Sequence, residues 1–170
     1  MKGEFFMLSL DHRELVKIAL LIALSMIGSQ IKIPSLTGTP ALDSFPAYLA
    51  AFIWVGKYAA AIGFFGHIFT SLLVGFPMSI PIHLILAVGM AGCVYAVSHV
   101  NNYSGRAAGV LAGMVLNGLI LPGIFVLIPG FGIPFFMGMV VPVTVASAVN
   151  IGLAVTAAPV CSQFLNRKPV

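Results

Sequence analysis

The sequence predicts an all-α integral membrane protein with six transmembrane helices and both termini in the cytoplasm. Three observations carry that prediction. The chain is 60% hydrophobic and only 7% charged, whereas soluble domains carry about 25% charged residues and cannot hide so much apolar surface. Six apolar runs alternate with short breaks rich in Gly, Pro or polar residues. Of the 8 Lys and Arg residues, Lys2, Arg13, Lys17, Lys57, Arg106, Arg167 and Lys168 fall on one side of this alternation, leaving Lys32 alone on the other. By the positive-inside rule the crowded side is cytoplasmic. Residues 1–170 read as a single transmembrane domain, with 1–14 a cytoplasmic N-terminal segment and 165–170 a basic cytoplasmic tail.

The head carries charges of both signs, and residues 8–12 read as the start of a helix. Helix 1 is predicted over 15–31, near the lower limit of about 17 residues for a span. No small-residue cleavage site follows it, so it reads as a retained helix rather than a signal peptide. Residues 32–46 form a Pro/Gly-punctuated loop. Helix 2, from about 45 to 54 or 55, is too short to span unless it begins inside that loop near Ala41. The loop is therefore expected to dip towards the bilayer, where non-helical backbone must be buried in protein or line a cavity.

Gly56-Lys57 is predicted as a tight turn and 58–74 as helix 3. Residues 75–81 form a second turn-rich loop. Helix 4 is predicted over 81–98, with Pro81 at a favourable first position, followed by a polar loop over 99–105. Helix 5 is predicted over 106–121, a third Gly/Pro-broken loop over 122–134, and helix 6 over 135–164, with Pro142 as its kink point. Six spans gather the three irregular loops on the outer face. No internal repeat suggests a repeat-built transporter.

Composition also excludes. The net charge of +4 comes from sparse loop cations with no basic stripe, so nucleic-acid binding is not indicated. Cys93 and Cys161 have no partners at metal-ligand spacing and read as small core residues. There is no paired-carboxylate centre, no zinc-spaced His cluster and no phosphate-cradling loop. Intramembrane charges are too few for a proton-coupled pump. The chain has the means to bind something but no visible engine, so no catalytic residues and no metal site are assigned.

What remains is a set of polar side chains in apolar surroundings. Asp43, in the first outer loop, is the one acidic residue beyond Glu14. It reads as a solvated acid, a partner of Lys32, a cap for a helix beginning at Ser44, or a ligand contact. Helix 3 places Gly63, His67 and Ser71 on one face with Thr70 beside them. Helix 6 carries Ser147 and Asn150, and helix 1 carries Ser25 and Ser29 away from Ala19 and Ala23. Such groups face a bundle interior or a cavity, either as interhelical hydrogen bonds or around a shared site. His83, at the outer end of helix 4, is a better pocket candidate than His12 or His99, which read as solvated. Gly105, Gly109 and Gly113 form a packing stripe that Asn117 continues outwards. Ala19 and Ala23, four apart, allow a helix to approach closely, within the bundle or on a partner.

Taken together, the helix count, the Ala19-x-x-x-Ala23 pair, the run Gly38-Thr39-Pro40-Ala41-Leu42-Asp43-Ser44-Phe45-Pro46, Gly66-His67, Gly75-Phe76-Pro77 and Pro81-Ile82-His83-Leu84 resemble the S component of an energy-coupling factor vitamin transporter. The resemblance is closest to the branch assigned to cobalamin or its precursor alpha-ribazole. It implies a non-catalytic, multi-pass subunit of the cell membrane that captures a vitamin outside and topples in the bilayer to deliver it. It implies partnership with a transmembrane coupling subunit, docked on Ala19 and Ala23, and with two cytoplasmic ATPases that supply the missing engine. The implied cofactor is none beyond the bound ligand. Asp43 and Ser44 would accept or donate to ligand amides and hydroxyls; Phe45, Tyr48 and Phe76 would cover a flat ring; His67, His83, Asn117 and Asn150 would add polar contacts. Histidine ligation of cobalt is the minor variant. A strongly anionic ligand does not suit a face whose one cation is Lys32. The competing readings are an S component for another vitamin, a self-contained channel or carrier, and a structural subunit that binds no small molecule.

Overall fold

A computed structural model describes residues 11–35 and 40–165, with side chains to residue 163. The predicted N-terminal segment before Asp11, the loop tip at 36–39 and the basic tail from 166 lie outside the described residues. Among the described residues the chain is nearly all helical, with 6 helices, 3 of them long and apolar enough to cross a membrane. They are α1 (His12–Gly28), α2 (Phe45–Ile53), α3 (Gly56–Leu73), α4 (Ile80–Ser104), α5 (Arg106–Leu127) and α6 (Gly132–Leu165). The long apolar ones are α4, α5 and the Gly132–Gln163 part of α6.

Local chemistry sets the ends. Asp11 caps α1 by accepting from the Arg13 backbone N–H at 3.4 Å. The predicted Gly56-Lys57 turn is the first turn of α3; the break falls one step earlier, where Trp54 is extended at φ −139°. The predicted polar loop at 99–105 is the last part of α4. Polar composition does not stop a helix; Gly105 does, at φ 85°. The predicted loop at 122–134 shrinks to 128–131, because α5 runs on to Leu127 and α6 starts at Gly132.

Inside α5, residues Leu116–Ile120 form a π-turn, with the Leu121 N–H bonded to the Leu116 carbonyl. Pro122 follows directly and has no N–H for the Gly118 carbonyl four residues back. Thr144 of α6 fills that gap, donating from Oγ1 to the Gly118 oxygen at 3.0 Å. Proline, π-turn and threonine thus form one device, and it places Asn117 in the interior, 9% exposed.

The core is built around α2. Its 9 residues rise about 14 Å, under half of a hydrocarbon layer of about 30 Å. Every residue from Pro46 to Phe52 is buried, packed with Ile62, Met90, Val94, Val97 and Ile151 from the surrounding helices. The glycine stripe of α5 allows this. A Cβ on Gly109 would lie 3.1 Å from the Phe52 ring, and one on Gly113 would lie 2.8 Å from Ile151 and 3.2 Å from Tyr48. Large apolar side chains such as Leu20, Ile27, Leu72, Val88, Leu111 and Val141 point outwards, as a lipid-facing surface requires.

Candidate functional site

The stretch between α1 and α2 is a short hairpin. Lys32 and Ala41 form an antiparallel bridge, with Ile33 N–H donating to the Pro40 carbonyl at 2.8 Å and Leu42 N–H to the Ile31 carbonyl at 3.1 Å. The hairpin is seated twice. Gly28, the last residue of α1, lies so close to Leu42 that an added Cβ would collide with the Leu42 carbonyl oxygen. Asn150, from the middle of α6, holds the other side. Its Oδ1 accepts from the Phe45 N–H at 2.6 Å, and its Nδ2 donates to the Ala41 and Ala146 carbonyls, both at 2.8 Å.

Asn150 therefore caps α2. The capping role weighed for Asp43 is not the one seen: Ser44 occupies the N-cap without a side-chain bond, and Asp43 turns towards α3 instead. Its Oδ2 lies 3.3 Å from Thr70 Oγ1 and its Oδ1 3.5 Å from Ser44 Oγ. Burial pushes the Asp43 carboxyl up from its ordinary value of 3.8, against the pull of a backbone hydrogen bond, the Thr70 hydroxyl, the Lys32 charge and the Ser44 hydroxyl.

Above α2 lies a cavity of about 120 Å³ between the hairpin and α3 to α6. One end is polar and carries Asp43, Ser44, His67, His83 and Asn117. The rest is apolar, with Met78, Leu86, Met90, Leu121, Phe125, Phe135 and Met139. A smaller adjoining hollow is lined by Ser29, Lys32, Thr70 and Ser71, and shares Asp43, His67 and His83 with the first. The two histidines meet at the junction, His67 Nε2 lying 3.2 Å from His83 Nδ1. His83 Nδ1 is also 2.9 Å from Ser71 Oγ.

Of the residues expected to contact a ligand, Asp43, Ser44, His67, His83 and Asn117 line this cavity together. The other four stand behind its wall. Tyr48 is fully buried under it, with its hydroxyl 3.5 Å from Cys93 Sγ and hydrogen-bonded by Asn117. Asn117 also donates to Ser147 Oγ at 2.9 Å. Asn150 is spent on backbone groups. Phe76 packs edge-on against the His83 ring at 5.6 Å, and Phe45 packs against the core. The phenylalanines that line the cavity are instead Phe125 and Phe135, 5.2 Å apart, with Phe131 against both. The sequence signal for them was present: three aromatics flank the Gly/Pro break at 128–134. Ala19 and Ala23 are exposed on α1, while Ser25 and Ser29 on its other side are 1% exposed.

The family model for the ECF transporter, substrate-specific component, matches residues 13–162 of the chain. No curated protein matches it, and no solved structure matches it.

Proposed function

The chain belongs to the family of substrate-specific components of ECF transporters, and from that premise we propose that the cavity beneath the hairpin is its substrate site. The half-open cavity, with polar groups gathered in an otherwise apolar lining, is the observation that carries this reading. An apolar wall with a few convergent polar groups is the usual form of a small-molecule site. On this reading the substrate enters from the outer face, both termini lie in the cytoplasm, and all six helices serve as spans. Transport is driven by ATPases bound to a membrane coupling subunit, which docks on α1 at Ala19 and Ala23.

The proposed substrate is alpha-ribazole or a related corrinoid precursor. The aromatic wall of Phe125 and Phe135 suits a flat ring, and the polar end suits hydroxyls or amides. Size favours the smaller ligand over intact cobalamin. The cavity encloses about 120 Å³, against about 150 Å³ for an apolar cavity that takes up benzene. A ring-sized group fits this space as it stands, alpha-ribazole needs the walls to give, and a corrin macrocycle requires the hairpin and the 74–79 loop to swing away. The test is thermal stabilisation of the detergent-solubilised chain against a vitamin panel that includes alpha-ribazole and cobalamin, since a ligand of the native state raises apparent stability by mass action. A shift with another vitamin and none with these two replaces the substrate assignment. Uptake by the chain alone in liposomes overturns the proposed mechanism.

A further inference from the structure

The polar end of the cavity contains a network whose protons can be counted. Thr70 Oγ1 lies 3.3 Å from Asp43 Oδ2 and 3.0 Å from the His67 carbonyl oxygen. Ser71 Oγ lies 2.7 Å from that same carbonyl and 2.9 Å from His83 Nδ1. Each hydroxyl has one proton to give, and carbonyls and carboxylates only accept. The His67 carbonyl also takes the Ser71 backbone N–H inside α3, so distance decides between the arrangements: Ser71 Oγ lies nearer that carbonyl than His83 Nδ1, which leaves the Thr70 proton for Asp43. In that arrangement Ser71 Oγ is open to a proton from His83, carried on Nδ1. His67 Nε2, 3.2 Å from that N–H, faces it as a second acceptor.

A neutral imidazole has a single N–H, so in that tautomer Nε2 of His83 is a bare lone pair. The doubly protonated ring would bury a cationic N–H without a partner, a costlier arrangement. His83 is 2% exposed, and among the described residues its Nε2 has no hydrogen-bond partner. The ring lines both hollows, as Asp43 does. A buried acceptor left open in this way is completed by whatever occupies the site.

We propose that His83 accepts a hydrogen bond from the substrate, and that with Asp43 it makes the polar end of the site specific for an uncharged head group rich in O–H or amide N–H donors. Two acceptors side by side match vicinal sugar hydroxyls. They face a phosphate or carboxylate oxygen with lone pairs and negative charge, so esterified or acidic forms of the same molecule are rejected. Lys32 lines the adjoining hollow beside Asp43, and its one charge is already set against that carboxylate. The inference rests on the cavity being the substrate site, as proposed above.

The test titrates the full chain in detergent with alpha-ribazole, its phosphate ester and its free benzimidazole base. The wild type is expected to bind alpha-ribazole about tenfold or more tightly than the ester. His83→Leu is expected to weaken alpha-ribazole about tenfold and leave the base, which has no sugar hydroxyls, unchanged. Equal binding of the ester, or equal losses for nucleoside and base, overturns the proposal. A second readout needs no variant. With nitrogen-15 in the histidines, the wild type is expected to show His83 as the Nδ1–H tautomer, its Nε2 resonance moving on addition of alpha-ribazole. An Nε2–H tautomer overturns the proposal even if His83→Leu does not fold. If none of the three compounds binds, the substrate assignment fails, and the tautomer decides the inference by itself.

Discussion

The side chain of Asn150 reaches the first turn of α2 and accepts the Phe45 N–H at 2.6 Å, across 105 residues of chain. The same amide donates to Ala41, at the base of the hairpin. One side chain thus fixes the start of the central helix and the floor of the cavity. Asn150→Ala leaves a buried N–H and a buried C=O unpaired, at about 1–3 kcal/mol each. The apparent melting temperature is expected to fall by several degrees. Ligand affinity is expected to fall as well, although Asn150 touches no ligand. Asn150→Asp keeps the acceptor for Phe45 but turns a buried carboxylate oxygen onto the Ala41 and Ala146 carbonyls, so at neutral pH it should melt no higher than Asn150→Ala. A variant with unchanged melting temperature would remove the capping role.

Asp43 is predicted to trade stability for binding. Its folded-state carboxyl is raised by burial, so it stabilises the protein below the ordinary carboxylate range and loses that contribution as pH rises through the raised value. The ligand-free wild type should therefore melt at a lower temperature at neutral pH than at mildly acid pH, by the share that Asp43 contributes. Asp43→Asn should abolish that share and melt at the same temperature as the wild type, or a higher one, at neutral pH. It should bind alpha-ribazole about tenfold more weakly, with assembly on the coupling subunit unchanged. Melting curves over pH and titration of both proteins check the two halves separately.

Gly28 and Gly152 make a matched pair. A methyl group on Gly28 collides with the Leu42 carbonyl, whereas one on Gly152 meets nothing within 4 Å. Gly28→Ala is expected to displace the hairpin, costing about 1–3 kcal/mol through overpacking, and to weaken ligand binding. Gly152→Ala is expected to be neutral or stabilising by up to about 1 kcal/mol, since alanine is the better helix former. Circular dichroism should show α1 intact in both, because the clash lies at the last helical residue and not within the helix.

Ala19 and Ala23 are exposed on the side of α1 opposite the buried Ser25 and Ser29. Ala19→Trp should therefore fold normally and bind ligand with wild-type affinity. It should fail to co-purify with the coupling subunit, because a bulky ring prevents close helix approach. Retained co-purification would move the docking surface elsewhere.

Much of this was legible in the sequence because apolar periodicity and turn residues act locally. The short second helix, the loop before it and the polar atoms of Asp43, His67 and His83 all follow from such signals, while the pairing of Lys32 with Ala41 that makes the loop a hairpin does not. The boundaries that moved did so for local reasons too: Asn101 and Asn102 look like a loop, yet only Gly105 has the backbone freedom that ends α4. Asn150 was different. Three residues on from Ser147, it reads equally as a ligand contact and as a brace, and only the distance to Phe45 decides. The aromatics at 125 and 135 stand out in the sequence, but their meeting in one wall depends on α5 and α6 running on into the apparent loop between them. Pairings across more than a hundred residues leave no periodic trace.

The π-turn at Leu116–Ile120 bears on how this chain should be compared with its relatives. Such a turn holds one residue more than the α-helix it interrupts. Removing that residue would restore the regular helix with the flanking segments facing as they do now, and would turn a different side chain towards the interior in place of Asn117. Between two homologues, a single alignment gap here would change which side chain lines the cavity while every helix kept its place. Substrate range in this lineage then has a route to diverge by deletion as well as by substitution, and the presence of a proline at the position of Pro122 is the mark by which to sort the sequences.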